Sequence, residues 1–159
     1  MNEDQNKIDN ITKYLSSLQN NQDQYIFLIA VCDEGSKKYS KHSFSFLSKY
    51  LPDELSFRTG FAAIIDCTKS FFESKIGNNI SVEYTLDDTK YVSRSSGFID
   101  SQYNPGYAYF LINSQKFELF NNRGINICIY SKTKSTVVDL LSVDTFYDES
   151  GKIHRFSKK

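Results

Sequence analysis

Three short stretches of this chain carry residue types that could recognise a polar ligand: Asp33-Glu34, Phe57-Arg58 and Arg123, the last opening the run Arg123-Gly124-Ile125-Asn126. Each sits where an apolar, β-prone run starts or stops. If those ends converge, one carboxylate and two guanidinium forks surround a patch shaped by Phe57. A sugar suits such a patch: Asp33 accepts from hydroxyls, Arg58 and Arg123 donate to hydroxyl or ring oxygens, and an aromatic face covers the apolar C–H side. The same residues allow a purely structural alternative, in which Asp33 pairs with Arg58 or Arg123 to hold strand ends together.

Catalytic chemistry has less to work with. His42 and His154 are the only histidines, and His154 lies in the basic tail GKIHRFSKK, which reads as solvated. No HExxH, P-loop or strand-borne GxGxxG occurs. Asp87-Asp88 beside Thr89 reads as a turn between strands rather than a metal-nucleotide site. Asp139, Asp144, Asp148 and Glu149 gather near one hairpin end, but spacing alone does not make their oxygens converge on a cation. The expectation is therefore a binding protein without enzymatic activity, metal or cofactor.

The elements that must position these residues can be read from periodicity. Ile8, Ile11, Leu15 and Leu18 share one face of an opening helix that ends in the polar run Gln19 to Gln24. Tyr25 to Cys32, YIFLIAVC, is too continuously apolar for a half-exposed strand and reads as a central strand covered on both faces. Phe44, Leu47 and Leu51 mark a second helix stopped by Pro52. Phe57 to Asp66 and Phe71-Phe72-Glu73 form a hairpin across Cys67 to Ser70. Ile80, Val82, Tyr84 and Leu86 alternate with Ser81, Glu83 and Thr85, a strand with one wet face. Asn104-Pro105-Gly106 turns the chain before Tyr107 to Ile112, and Asn121-Asn122 follows a short strand from Phe117 to Phe120. Ile125, Ile127 and Ile129 open a last hairpin, turned by Ser131 to Ser135 and completed by Thr136 to Val143. Two early helices and about seven strands predict a single α+β domain over residues 1–159, with antiparallel, sandwich-like sheets flanked by the two N-terminal helices.

Composition bounds the partners. A chain of 159 residues can bury roughly 70% of its unfolded surface without covalent staples. Lys+Arg and Asp+Glu are equal at 19 each, so no net field gathers phosphate backbones or anionic lipid, and nucleic acid is not an expected partner. Aromatic content is 15%, all Tyr and Phe, which supplies strand residues and stacking surfaces. Cys32, Cys67 and Cys128 lack metal-ligand spacing and read as small hydrophobes in a reducing compartment. The acidic, polar start MNEDQNKIDN is unlike a signal peptide and no run is long enough to span a membrane. A soluble, cytoplasmic protein is expected.

At the same positions the chain resembles the interleukin-like EMT inducer family, also called the GG or PANDER-like domain. KIDNITKYLSSLQ, YIFLIAVCDEGS and LSFRTGFAAII resemble the family's helix, strand, aspartate-containing loop and aromatic-Arg strand. RGINICIYSKTKSTVVDLLSVDTF resembles its RGxN strand and the hairpin ending in an FDT-type motif. Together these cover about half of the chain. The order differs from the animal secreted members, whose RGxN hairpin precedes the DEGS loop, and is that of a circular permutation common among bacterial members beside capsule or other surface-polysaccharide genes.

The resemblance implies a carbohydrate-binding module, by analogy with a glycosyltransferase stem domain in the family, whose sugar contacts correspond to Asp33, Arg58 and Arg123. It implies an N-acetylhexosamine-containing glycan as ligand and a glycosyltransferase or other protein as partner. Three departures stand out: Phe57 replaces a frequent Trp, Thr59-Gly60 replaces a more polar pair, and Val143 replaces the Phe of Phe-Asp-Thr. Secreted signalling relatives supply a rival expectation, a protein-interaction module in which exposed Tyr103, Tyr107 and Tyr109 contact a partner.

Overall fold

The computed structural model describes residues 10–32, 39–55, 59–69, 71–96, 106–119, 123–144 and 153–155. The first helix, α1 (Ile11–Leu18), begins where the Asn10 side chain accepts from Thr12 N–H at 2.9 Å and Lys13 N–H at 3.3 Å, satisfying two amides that have no intrahelical acceptor. Its apolar stripe buries Ile11 and Leu15, and the chain continues through a 3-10 segment at Gln19–Gln24. Ile8 lies outside the described residues. The second expected helix takes a different form. Lys41–Tyr50 is a 3-10 segment broken at Phe44 and Ser45, where Ser45 has φ 51°. Its sequence, KHSFSFLSKY, is dominated by serines and aromatic rings that favour the α-helix weakly, and Ser40 gives it no side-chain cap. Phe44 and Leu47 are nevertheless buried, so the stripe packs as expected. Thr12 Oγ1 donates to Ser43 O at 2.6 Å and ties this segment to α1.

The strands are β1 (Tyr25–Cys32), β2 (Gly60–Asp66), β3 (Phe71–Gly77), β4 (Ile80–Leu86), β5 (Thr89–Ser95), β6 (Ala108–Ile112), β7 (Gln115–Phe117), β8 (Gly124–Ser131), β9 (Thr136–Val143) and β10 (Ile153–Arg155). They form a six-stranded sheet, β10-β9-β8-β1-β2-β3, and a four-stranded sheet, β4-β5-β6-β7, with every pairing antiparallel. Gly60 rather than Phe57 starts β2, and Gln115 rather than Phe117 starts β7. The tail read as solvated contributes β10, which pairs Ile153 with Val143 and Arg155 with Leu141. Without it the outer edge of β9 would leave backbone donors and acceptors unpaired.

β1 explains the continuous run YIFLIAVC. Phe27, Ile29 and Val31 face a core shared with Ile11, Leu15, Phe44 and Leu47 on the helical side. Ile26, Leu28, Ala30 and Cys32 face a second core shared with Val82, Tyr91, Ala108 and Phe110 of the four-stranded sheet. The strand has no wet face, so alternation could not appear in its sequence. β8 behaves the same way: Ile125, Ile127 and Ile129 turn to the helices while Cys128 and Tyr130 turn to the other sheet. β4, by contrast, keeps the predicted wet face at Glu83 and Thr85. Asp87 and Asp88 form the two-residue turn after it with φ of 49° and 69°, the twist that suits a tight hairpin.

Polar residues fasten the layers. Ser93 and Ser95 of β5 are fully buried, and their hydroxyls donate to Ile29 O and Val31 O of β1, each at 2.5 Å. Ser95 Oγ also accepts from Phe61 N–H at 3.2 Å. The pairing of β1 with β2 ends at Ala30 and Ala62, so the hydroxyl stands where the next ladder contact, Val31 to Phe61, would fall. At the opposite end of the sheet Asp66, fully buried, accepts from Tyr84 Oη and from Lys132 Nζ, each at 2.8 Å. Burial, followed by the bond to Asp66, raises the Tyr84 phenol above its ordinary range; burial also raises Tyr39 and Tyr91.

Two outcomes are expected. Ser95→Ala leaves a buried amide and carbonyl without their common partner and should cost about 1–3 kcal/mol, read as a lower urea midpoint with unchanged slope; an unshifted midpoint would show the hydroxyl to be dispensable. In alkali, the unfolded chain releases tyrosine protons near pH 10 while Tyr39, Tyr84 and Tyr91 hold theirs. Their contribution is complete below about pH 10 and falls as the pH rises beyond it. Spectrophotometric titration should show these three phenols ionising only together with unfolding.

Candidate functional site

The ends of three adjacent strands meet at one end of the six-stranded sheet. Cys32, the last residue of β1, pairs with Gly124, the first of β8. Continuing the β1–β2 register two residues past Ala30 and Ala62 reaches Cys32 and Gly60, the first residue of β2. Val143, the last residue of β9, pairs with Ile125 at the same end. Cys32, Thr59, Arg123 and Asp144 are thus the described residues that flank this sheet end. Asp33, Phe57 and Arg58 are bonded into the chain next to or one residue beyond them, and lie outside the described residues. So do Thr145, Phe146, Asp148 and Glu149.

Arg123 is placed. Its Nε donates to Asp144 Oδ1 at 3.2 Å and Oδ2 at 3.3 Å, and its Nη2 donates to Oδ2 at 2.9 Å. The side chains remain 34% and 22% exposed, so the pair lies at the rim of the sheet end rather than in the core. Ser142 Oγ, donating to Arg123 O at 3.4 Å, holds the backbone of the same residue. The carboxylate that orients Arg123 is therefore Asp144, which the sequence offered as a hairpin terminus and not as a partner. Pairing across the β8–β9 hairpin could have been read from its turn: the two residues lie just outside opposite ends of strands that fold back on each other.

The remainder of the Arg-Gly-x-Asn run is backbone engineering in support of that side chain. Gly124 has φ 98°, a conformation in which an L side chain is strained, and it carries the chain into β8 directly after Arg123. Asn126 is buried on the face toward the second sheet, and its Nδ2 donates to Ala30 O at 3.3 Å and to Gly124 O at 3.4 Å. One side chain thus ties the start of β8 to the end of β1, the strand that leads to Asp33.

The remaining chemistry-bearing residues are elsewhere. Cys32 and Cys128 are buried, Cys67 is half-buried, and all three are free thiols. Burial pushes the Cys67 and Cys128 thiols up, the reverse of what a nucleophile requires. Cys67 instead meets Gln22 Oε1 at 3.3 Å and the Tyr50 hydroxyl at 3.9 Å. His42 is exposed on the 3-10 segment. Among the described residues no group of three or more His, Cys, Asp or Glu side chains could hold a metal ion, and no helix is long and apolar enough to cross a membrane. Tyr107 and Tyr109 are half-buried, with ring centroids 5.5 Å apart; Tyr103 lies outside the described residues. Sequence reasoning missed Arg94, which meets Tyr109 from the neighbouring strand. No alternation in Lys90 to Ser95 marks it, since the core-facing Ser93 and Ser95 are polar and Val92, on the same face as Arg94, is buried.

Searches of protein-family models, curated proteins and solved structures return no match to this chain.

Substituting Gly124 tests the construction of the sheet end. Gly124→Ala should destabilise the chain by roughly 1–3 kcal/mol through backbone strain alone. Thermal unfolding monitored by circular dichroism should register it, and an unchanged midpoint would mean that the chain reaches β8 in another conformation.

Proposed function

We propose that this chain is a non-catalytic carbohydrate-binding module of the interleukin-like EMT inducer type, a sandwich-like α+β domain serving as an accessory in bacterial surface-polysaccharide or glycoconjugate synthesis. The observation that supports the reading is the meeting of strand ends at Cys32, Gly60 and Gly124, residues that stand next to or close to Asp33, Phe57-Arg58 and Arg123 along the chain. Distant in sequence, Asp33, Arg58 and Arg123 are the positions at which the family resemblance places sugar contacts. Asp33 accepts from hydroxyls, Arg58 and Arg123 donate, and Phe57 shapes the apolar side. Arg123 comes to this task with its orientation set by Asp144, so less entropy is lost when it meets a ligand. An N-acetylhexosamine-containing glycan fits the donor and acceptor set, and a glycosyltransferase is the corresponding protein partner.

A second reading, a protein-interaction module, draws on the half-buried Tyr107 and Tyr109 beside Arg94 and Lys116 on the other sheet. Titration with N-acetylglucosamine and N-acetylgalactosamine, followed by amide NMR, separates the two. Under the first reading the amides near Asp33, Arg58 and Arg123 shift, and Arg58→Ala weakens binding by about tenfold or more, the loss of a charge-assisted hydrogen bond. Silence across a broad glycan panel would overturn it. A pulled-down protein partner that ignores Arg58→Ala would favour the second.

A further inference from the structure

We infer that the outer face of the four-stranded sheet holds a separate site for an oxyanion, the carboxylate or phosphate group of a small ligand, centred on Arg94. Register aligns Ser81 of β4, Arg94 of β5 and Tyr109 of β6 in one row across the sheet. Their neighbours Val82, Ser93, Ser95 and Phe110 point to the other side, into the core between the sheets. The row is therefore on the outer face, and the strands fix its spacing.

Arg94 is half-buried, and its surroundings position it without neutralising it. Nη1 donates to Tyr109 Oη at 2.9 Å, and the guanidinium carbon lies 5.8 Å from the Tyr109 ring centroid. Tyr107 packs against Tyr109 and is itself hydrogen-bonded through its hydroxyl to Asn79. A second cation stands by the same ring: Lys116 Nζ lies 4.5 Å from the Tyr109 centroid. Lys116 has Glu118 at 3.3 Å, whereas Arg94 has no carboxylate within ion-pair distance among the described residues.

Two polar atoms of the row decide the chemistry. Arg94 Nε and Ser81 Oγ are both buried, and among the described residues neither has a hydrogen-bond partner. Nε–H can only donate, and the serine hydroxyl can donate. They belong to residues directly opposite each other across β4 and β5, with side chains on the same face. A guanidinium keeps its charge when one of its N–H groups is shut off from water, so the partner that satisfies that group best is an acceptor that is also an anion. A neutral hydroxyl could accept one bond but leaves the charge uncompensated. The proposal is independent of the glycan reading, since it uses no residue of the β1, β2 and β8 ends.

The full chain, labelled with nitrogen-15, is titrated with sodium phosphate and separately with sodium acetate, each against sodium chloride at equal ionic strength, while the arginine Nε–H resonances are observed. Arg94→Lys identifies the Arg94 signal by its disappearance. A saturable shift of that signal is expected with at least one of the two anions and not with chloride. Response to phosphate alone assigns a phosphate-bearing ligand, and response to acetate assigns a carboxylate. Ser81→Ala should weaken the response about threefold to tenfold, as loss of one neutral hydrogen bond does. An Arg94 signal unmoved by either anion up to tens of millimolar, or moved equally by chloride, overturns the proposal.

Discussion

The structure depends on a strand that meets water on neither face. β1 has a helical layer on one side, a second sheet on the other, and a strand along each edge. Its backbone must be satisfied wholly by protein, and near its end the direct ladder to β2 stops at Ala30 and Ala62. Ser95, reaching from the other sheet, takes Phe61 N–H and gives to Val31 O. That hydroxyl closes the account of the backbone where two strands would otherwise part with unpaired groups. It also fixes how the second sheet sits over the first, because one atom bonds to both strands of one sheet while belonging to the other.

The consequence is a sheet with two differently built ends. At one, Asp66 is buried with Lys132 and Tyr84, a charge compensated at short range and enclosed by the ring cluster of Tyr84, Tyr91 and Tyr130. Such a pair holds layers together, and removing one member strands the other. At the other end Arg123 and Asp144 are paired at the rim, where water still reaches both. A rim pair adds little stability. Its effect is to set the direction of a guanidinium beside the strand ends that lead to Asp33 and Arg58.

Much of this was legible in the residues. YIFLIAVC announced a doubly covered strand because no position in it could tolerate water, and the Ile80 to Leu86 alternation announced a sheet with one wet side. Gly124 and Asn126 could be read as fixtures of backbone and hydrogen bonding from their types alone, and they are. The form of the second helix was not legible: Phe44, Leu47 and Leu51 have helical spacing, but spacing does not register that Ser45 leaves the helical region. The strand in the basic tail was missed because charge suggested solvation, while the unpaired edge of β9 lies far away in sequence. Arg123 was found, but its carboxylate was sought at Asp33 because strand-end convergence was considered without the hairpin that delivers Asp144. Ser95 gave no signal at all, since a serine that pins two sheets is indistinguishable in sequence from one in water.

The proposed glycan site lies where β1, β2 and β8 end together. A crystal structure of the chain soaked with an N-acetylhexosamine addresses it most directly. The predicted result is a sugar ring at the sheet end next to Gly124, within hydrogen-bonding distance of Asp33 and Arg58. A ring bound at any other surface, or an empty sheet end in crystals held at saturating sugar with that end open to solvent, would contradict the claim.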